Sequence, residues 1–392
     1  MPALPLGRWA KSRAGAATSS STEEVRDGAA MDNARMRYVI ETLAPRGWGQ
    51  TSPNPLVGAL VTNGGEILGE GHHAQFGGPH AEIVALRNAG DAARGATMYV
   101  NLEPCNHQGK TPPCTDAIIA AGIARVVVAI PDPNPEASGG AEKLRDAGIE
   151  VEFGVCTADA WELNAPFMSS FASDRPWVTL KLAVSLDGSI APADRKPTIV
   201  TGDLSRTRVQ KMRAGNDAIA VGAATAAADD PQLTARYDPP PRVPPTRIVF
   251  DRSARLSSQS RLAQTAREAP VLIVTGETTQ LPAVLAGLGV RSLAAHDLDD
   301  ALRKLKFTGI NSLMVEGGAG LAASFLGSGF VDRLVIFQAP IILGNGSLNA
   351  FSGIAAQPIE EAPRFRVIRS EPIGDDIMTT YAIETLSVYR IN

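Results

Sequence analysis

Pro79-His80-Ala81-Glu82 and Leu102-Glu103-Pro104-Cys105, followed by Cys114, decide how this chain is read. A histidine and two cysteines are zinc-type ligands. Three protein ligands leave one corner of the tetrahedron open for water, as in catalytic rather than structural sites. Glu82, two residues past His80, is placed to move protons rather than to hold metal. A closed structural site would need a fourth ligand, and His107 is the neighbour that offers one.

The surrounding pattern alternates helix and strand. Helical spacing of apolar residues covers 34–43, 80–88, 115–121, 142–147 and 159–173, and strand patterns cover 56–62, 66–70, 97–102, 125–130 and 151–155. Asn63-Gly64 joins the first two strands as a hairpin. The uninterrupted run Val126-Val127-Val128-Ala129-Ile130 suits a strand buried on both faces. The expectation is a sheet covered by helices on both sides, with Cys105 ending a strand and Cys114 opening a helix whose positive end favours a thiolate.

A second α/β series follows Arg175-Pro176, with strands expected at 178–184, 218–222, 247–251, 271–275, 312–316 and 332–338. Helices are expected at 206–214, 262–268, 298–305 and 321–326. Segment 238–245 holds five prolines and reads as a stiff exposed loop. We divide the chain into a disordered leader or misassigned start (1–30, with Met31 opening the first helical pattern), a first domain (31–175) and a second (176–392).

Composition narrows the function classes. Net charge is −4, which argues against a nucleic-acid partner and for a free small molecule. No apolar run reaches the roughly 20 residues that cross a bilayer. The three cysteines, two of them in the motif, do not suggest a disulfide framework. Thiolate ligands suit a reducing compartment, so a cytoplasmic location is expected. Cys156 reads as a small packing residue. A homo-oligomer is left open.

His-x-Glu followed by Pro-Cys and a second cysteine is the pattern of zinc nucleobase deaminases, whose cysteines are two residues apart. Here eight residues, Asn106 to Pro113, intervene. This longer loop is expected at the pocket rim, where His107 and Lys110 could hold a phosphate or simply form surface. Asn54, at a strand entrance, can bond two edges of a heterocycle.

These residues together resemble the bifunctional riboflavin-biosynthesis deaminase–reductase family. The matching pieces are Ser52 to Gly58, Pro79 to Glu82, Leu102 to Cys114 and Asp132-Pro133-Asn134-Pro135. In the second half they are Lys181 to Gly188, Asp229 to Arg236 and Val315-Glu316-Gly317-Gly318. The resemblance implies two three-layer α/β domains, a cytidine-deaminase-like one followed by a dihydrofolate-reductase-like one. It implies zinc-dependent loss of the ring amine from 2,5-diamino-6-ribosylamino-4(3H)-pyrimidinone 5′-phosphate, then reduction of the ribosyl group to ribityl with NADPH. Zinc would sit on His80, Cys105 and Cys114, with Glu82 as acid/base and Asn54 on the substrate.

For the second half the resemblance implies Lys181 and Asp187 near the reduction chemistry. Arg213, Leu233, Arg236 and Glu316 would hold substrate, and Ala183, Ile199, Thr225, Asp229 and Gly318 would hold cofactor. Lys196-Pro197-Thr198 departs from the family's Ser-x-Trp-like segment, which puts one substrate contact and the aromatic wall at Ile199 in doubt. Read alone, Gly317-Gly318 at a strand–helix junction lets a diphosphate approach backbone N–H groups, and Arg252 is a candidate for the 2′-phosphate of NADPH. The rival expectation is a reductase whose first domain binds substrate without deaminating it.

Overall fold

The computed structural model describes residues 19–107, 112–196 and 198–383. Lys110 and Pro197 lie outside the described residues, as do 1–18. In the first half β1 (Gly58–Asn63), β2 (Glu66–His72), β3 (Thr97–Val100), β4 (Arg125–Val128) and β5 (Glu150–Phe153) form one sheet in the order β2-β1-β3-β4-β5. β1 is antiparallel to β2 and β3, and the β3-β4-β5 run is parallel.

Alternation along the apolar run explains the three layers, since successive strand side chains point to opposite faces. Val126 and Val128 pack with Ala85, Ile118 and Leu144 from helices Ala81–Ala89, Cys114–Ala121 and Gly140–Asp146. Val127 and Ala129 pack on the other side with Met36, Val39, Leu43 and Ala160.

Helix Ala81–Ala89 lies directly on β2. A Cβ on Gly71 would stand 2.1 Å from the Ala81 carbonyl oxygen, and one on Gly69 would stand 2.3 Å from that of Ala85. Only glycine lets the helix come this close, and that approach fixes the height of His80 and Glu82 above the sheet.

The second half is built on β6 (Trp177–Val184), β8 (Ala218–Gly222), β9 (Thr246–Phe250), β10 (Val271–Gly276), β11 (Arg291–Ala295), β12 (Ser312–Glu316), β13 (Arg333–Gln338), β15 (Phe365–Ile373) and β16 (Asp376–Ile383). Their order is β11-β10-β9-β8-β12-β6-β13-β16-β15, while short β7 (Ser189–Ala191) pairs with β14 (Leu348–Asn349) apart from this sheet. Pairing is parallel from β11 through β13 and antiparallel beyond it. One face packs on helices Leu298–Phe307 and Ala319–Gly327, and the other on Leu262, Leu285 and helix Asp203–Ala214.

Several expectations are corrected. The first helix runs over Ser19–Tyr38, reaching back into the stretch read as leader, and Val39–Leu43 continues it as a π turn. β3 stops at Val100, so Cys105 lies in a loop beyond the strand; Pro104 has no N–H with which to extend a ladder. The helix expected at 262–268 is a single turn, Arg261–Gln264. β11, β15, β16 and helix Ala223–Asp229 escaped the reading. β11 and β15 are edge strands with exposed residues in place of an apolar period, β16 lies beside the edge and is mostly half-buried, and Ala223–Asp229 is nearly all alanine. No helix among the described residues is long and apolar enough to cross a membrane.

Candidate active sites

His80 caps helix Ala81–Ala89, and Cys114 opens helix Cys114–Ala121. Between them, the loop bearing Cys105 is fixed by backbone bonds from Glu103 N–H to Ile130 (3.0 Å) and from Asn106 N–H to Ala137 (3.1 Å). The ligand atoms of His80, Cys105 and Cys114 all lie within 4.8 Å of one another. His80 Nδ1 is 3.2 Å from Cys114 Sγ and 3.5 Å from Cys105 Sγ, so Nδ1 is the atom turned toward both sulfurs. The Cys114 N–H points at Cys105 Sγ from 3.4 Å.

The thiol and N–H of Cys114, with help from His80, hold the Cys105 thiol down to about 4, while Cys114, the proton-bearing partner, is pushed up. His80 is raised, chiefly by its bond to Cys105. An imidazole and two sulfurs at contact distance, half or fully buried, fit a zinc ion, which takes its sulfurs as thiolates and so would displace the proton of Cys114. Among the described residues His107 is not part of this cluster; it is exposed and lines the cavity alongside.

That cavity, ≈ 270 Å³, opens onto His80, Cys105 and Glu82, with Asn54, Phe76 and Asp132 among its walls. Glu82 is 3 % exposed, and burial raises its carboxyl to about 6.

Sequence reasoning missed His73, which is 2 % exposed and also lines the cavity. Its Nδ1 lies 3.0 Å from the Pro79 carbonyl oxygen, so Nδ1 must carry the proton. Nε2 then accepts from Asn54 Nδ2 at 3.1 Å. Burial lowers the pKa of His73, consistent with a neutral ring. This relay turns the Asn54 amide so that its oxygen and second N–H remain for a ring edge. Three histidines within nine residues, His72, His73 and His80, were the signal available. Asp132 and Asn134, quoted above only as matching pieces, also line the cavity, and burial raises Asp132 to about 6.

In the second half, parallel β6 and β12 place Lys181 opposite Glu316. Lys181 Nζ is 3.7 Å from Glu316 Oε2. Arg213, from helix Asp203–Ala214, forks onto both Glu316 oxygens at 2.5 and 3.0 Å and donates to the Thr234 carbonyl at 3.0 Å. Burial lowers the Lys181 pKa; Glu316 is lowered because Arg213 and Lys181 together outweigh its burial.

The neighbouring segment holds buried Leu233, at φ +53°, and exposed Arg236, whose N–H donates to Gln210 Oε1 at 2.8 Å. Gly318 and Thr225 meet where β12 and β8 end: a Cβ on Gly318 would stand 2.9 Å from Thr225 Oγ1. Asp229 closes the helix bearing Thr225, and Ala183 lies further along β6, half-buried. Ile199 is 69 % exposed. Arg252 is exposed, with Nη1 on the His296 carbonyl at 3.1 Å. Asp187 accepts from Ser185 Oγ and from the N–H groups of Leu343 (3.1 Å) and Gly344 (2.8 Å), which hold its carboxyl at about 2.

Residues 176–379 match the RibD C-terminal domain, and residues 31–130 match the cytidine and deoxycytidylate deaminase zinc-binding region. A riboflavin biosynthesis protein RibD from Aquifex aeolicus is 44 % identical over 340 residues, covering 86 % of this chain and 94 % of its own. The chain belongs to the RibD family.

The Escherichia coli RibD is 38 % identical over 348 residues, with 86 % and 95 % of the two chains covered. Among solved structures, a diaminohydroxyphosphoribosylaminopyrimidine deaminase/5-amino-6-(5-phosphoribosylamino)uracil reductase from Thermotoga maritima superposes with TM-score 0.80 at 37 % identity, covering 91 % of this chain and 99 % of that one. Acinetobacter baumannii RibD gives 0.78 at 37 % identity with the same coverage. As a RibD-family member the chain is a two-activity enzyme of riboflavin biosynthesis, a zinc-binding deaminase region followed by a reductase domain.

Proposed function

We propose that the first half removes the ring amine of 2,5-diamino-6-ribosylamino-4(3H)-pyrimidinone 5′-phosphate and that the second half reduces the ribosyl group of the product to ribityl. The observation that carries this is a cluster of three zinc-type ligand atoms, two of whose residues, His80 and Cys105, line one cavity with buried Glu82. Zinc held by His80, Cys105 and Cys114 would make water a nucleophile at neutral pH. Glu82 takes a proton from the attacking water and returns it to the departing ring nitrogen; a carboxyl near 6 suits both directions. Asn54, oriented by His73, holds the ring edge.

In the second half NADPH, when bound, would supply the hydride; Ala183, Ile199, Thr225, Asp229 and Gly318 would hold it, with Arg252 the candidate for its 2′-phosphate. Lys181, half-buried and lowered, hands a proton to the opening sugar. Glu316, Arg213, Leu233 and Arg236 frame the substrate. Asp187, ionised at any working pH and committed to Leu343 and Gly344, shapes the site rather than trading protons.

The working units are 31–175 and 176–392, the partner is a small phosphorylated pyrimidine rather than nucleic acid or membrane, and the thiolates suit the cytoplasm. Mass spectrometry of products tests the pair. Without NADPH the substrate should gain about one mass unit as amine becomes carbonyl; NADPH should add roughly two more. No change without NADPH would favour the reductase-only alternative.

A further inference from the structure

The two halves meet along a seam that the chemistry above does not use. Segment 238–245, read from sequence as an exposed proline-rich loop, is docked on the deaminase half. The Arg242 N–H donates to the Gly49 carbonyl at 2.9 Å, and Gln50 Nε2 donates to Pro240 at 2.8 Å. The Arg242 side chain reaches further: Nε donates to the Gln50 carbonyl at 3.2 Å and Nη2 to that of Ser52, and its guanidinium carbon lies 5.0 Å from the Phe76 ring centre. The Gln50 carbonyl also accepts from the Phe76 N–H at 3.1 Å.

One carbonyl thus ties together three things: an arginine of the reductase half, the turn leading to Asn54, and the Phe76-Gly77-Gly78 wall of the deaminase cavity. The seam is reinforced on either side. Ser52 Oγ donates to Asp217 at 2.7 Å and Trp48 Nε1 to the Lys211 carbonyl at 2.7 Å. Trp48 sits so close to Gly215 that a Cβ there would stand 2.3 Å from the indole.

We propose that Arg242 is a positioning residue for deamination, supplied to the first active site by the second domain. It holds the Gln50 and Ser52 carbonyls and the Phe76 ring so that Asn54 and the Phe76–Gly78 wall face the substrate. A planar guanidinium can span two carbonyls and still lie over an aromatic face, whereas a lysine ammonium keeps only one of these contacts at a time. The proposal rests on the deaminase reading above and adds to it that the deaminase pocket, lined by the first half, is braced by the second.

Arg242 is exposed, and its truncation opens no buried hole. In the zinc-loaded full chain, Arg242→Ala should raise the deaminase KM about tenfold with kcat little changed, as loss of charge-assisted bonds would. Arg242→Lys should fall between wild type and alanine. Reduction kinetics on the deaminated substrate, zinc content and thermal midpoint should all stay at wild-type values. A deaminase KM unmoved in Arg242→Ala, or a parallel loss of both activities, overturns the proposal. Absence of ammonia release from the wild type would instead overturn the deaminase reading on which it rests.

Discussion

Buried Glu82 and half-buried Lys181 are both shifted toward their neutral forms, yet by different surroundings. Glu82 faces a cavity beside the zinc ligands. Lys181 has Glu316 beside it, which answers part of its charge, while burial and Arg213 oppose that charge. Glu82→Gln keeps the shape of the side chain but cannot carry the proton. Deamination should fall by about 10²–10⁴, the usual worth of general acid–base catalysis, with zinc content and reduction unchanged; ammonia release and metal analysis report the two. Lys181→Ala should spare deamination and slow NADPH oxidation by on the order of 10²-fold. A parallel drop in both activities would show misfolding instead of a lost proton donor.

At the scale of elements, the close seating of helix Ala81–Ala89 on β2 decides where the zinc ligands stand. Gly71→Ala would drive a methyl into the Ala81 carbonyl. Overpacking of this kind costs about 1–3 kcal/mol, so the urea midpoint should drop and zinc affinity should weaken, because His80 moves with the helix.

The Asp187 loop gives a pH signature. Its carboxyl sits at about 2 in the fold against an ordinary 3.8. A depressed carboxyl stabilises above its unfolded pKa and loses that contribution as pH falls through the folded value. The grip on Leu343 and Gly344 is therefore complete near neutrality and released in acid. Asp187→Asn should remove that part of the acid dependence, seen as a shallower fall of the unfolding midpoint with decreasing pH.

Across the whole molecule the two sites lie on separate sheets with separate cores. Chelation of zinc should therefore abolish ammonia release and leave reduction of the deaminated substrate intact, and added zinc should restore the first activity. Much of this was legible in the residues. His80, Glu82, Cys105 and Cys114 announce zinc chemistry because ligand type and order are written along the chain, and buried strands such as Arg125–Val128 announce themselves by apolar runs. Edge strands β11 and β15 and helix Ala223–Asp229 were not legible, since exposed residues and alanines carry no period. Only the tertiary structure joined His73 to Asn54, stacked Lys181, Glu316 and Arg213 from a strand pair and a helix, and docked Arg242 on the other half. Ligand chemistry and burial period are local properties of a sequence. A hydrogen bond between residues 190 positions apart, such as that from Arg242 to Ser52, exists only once two cores have formed and met.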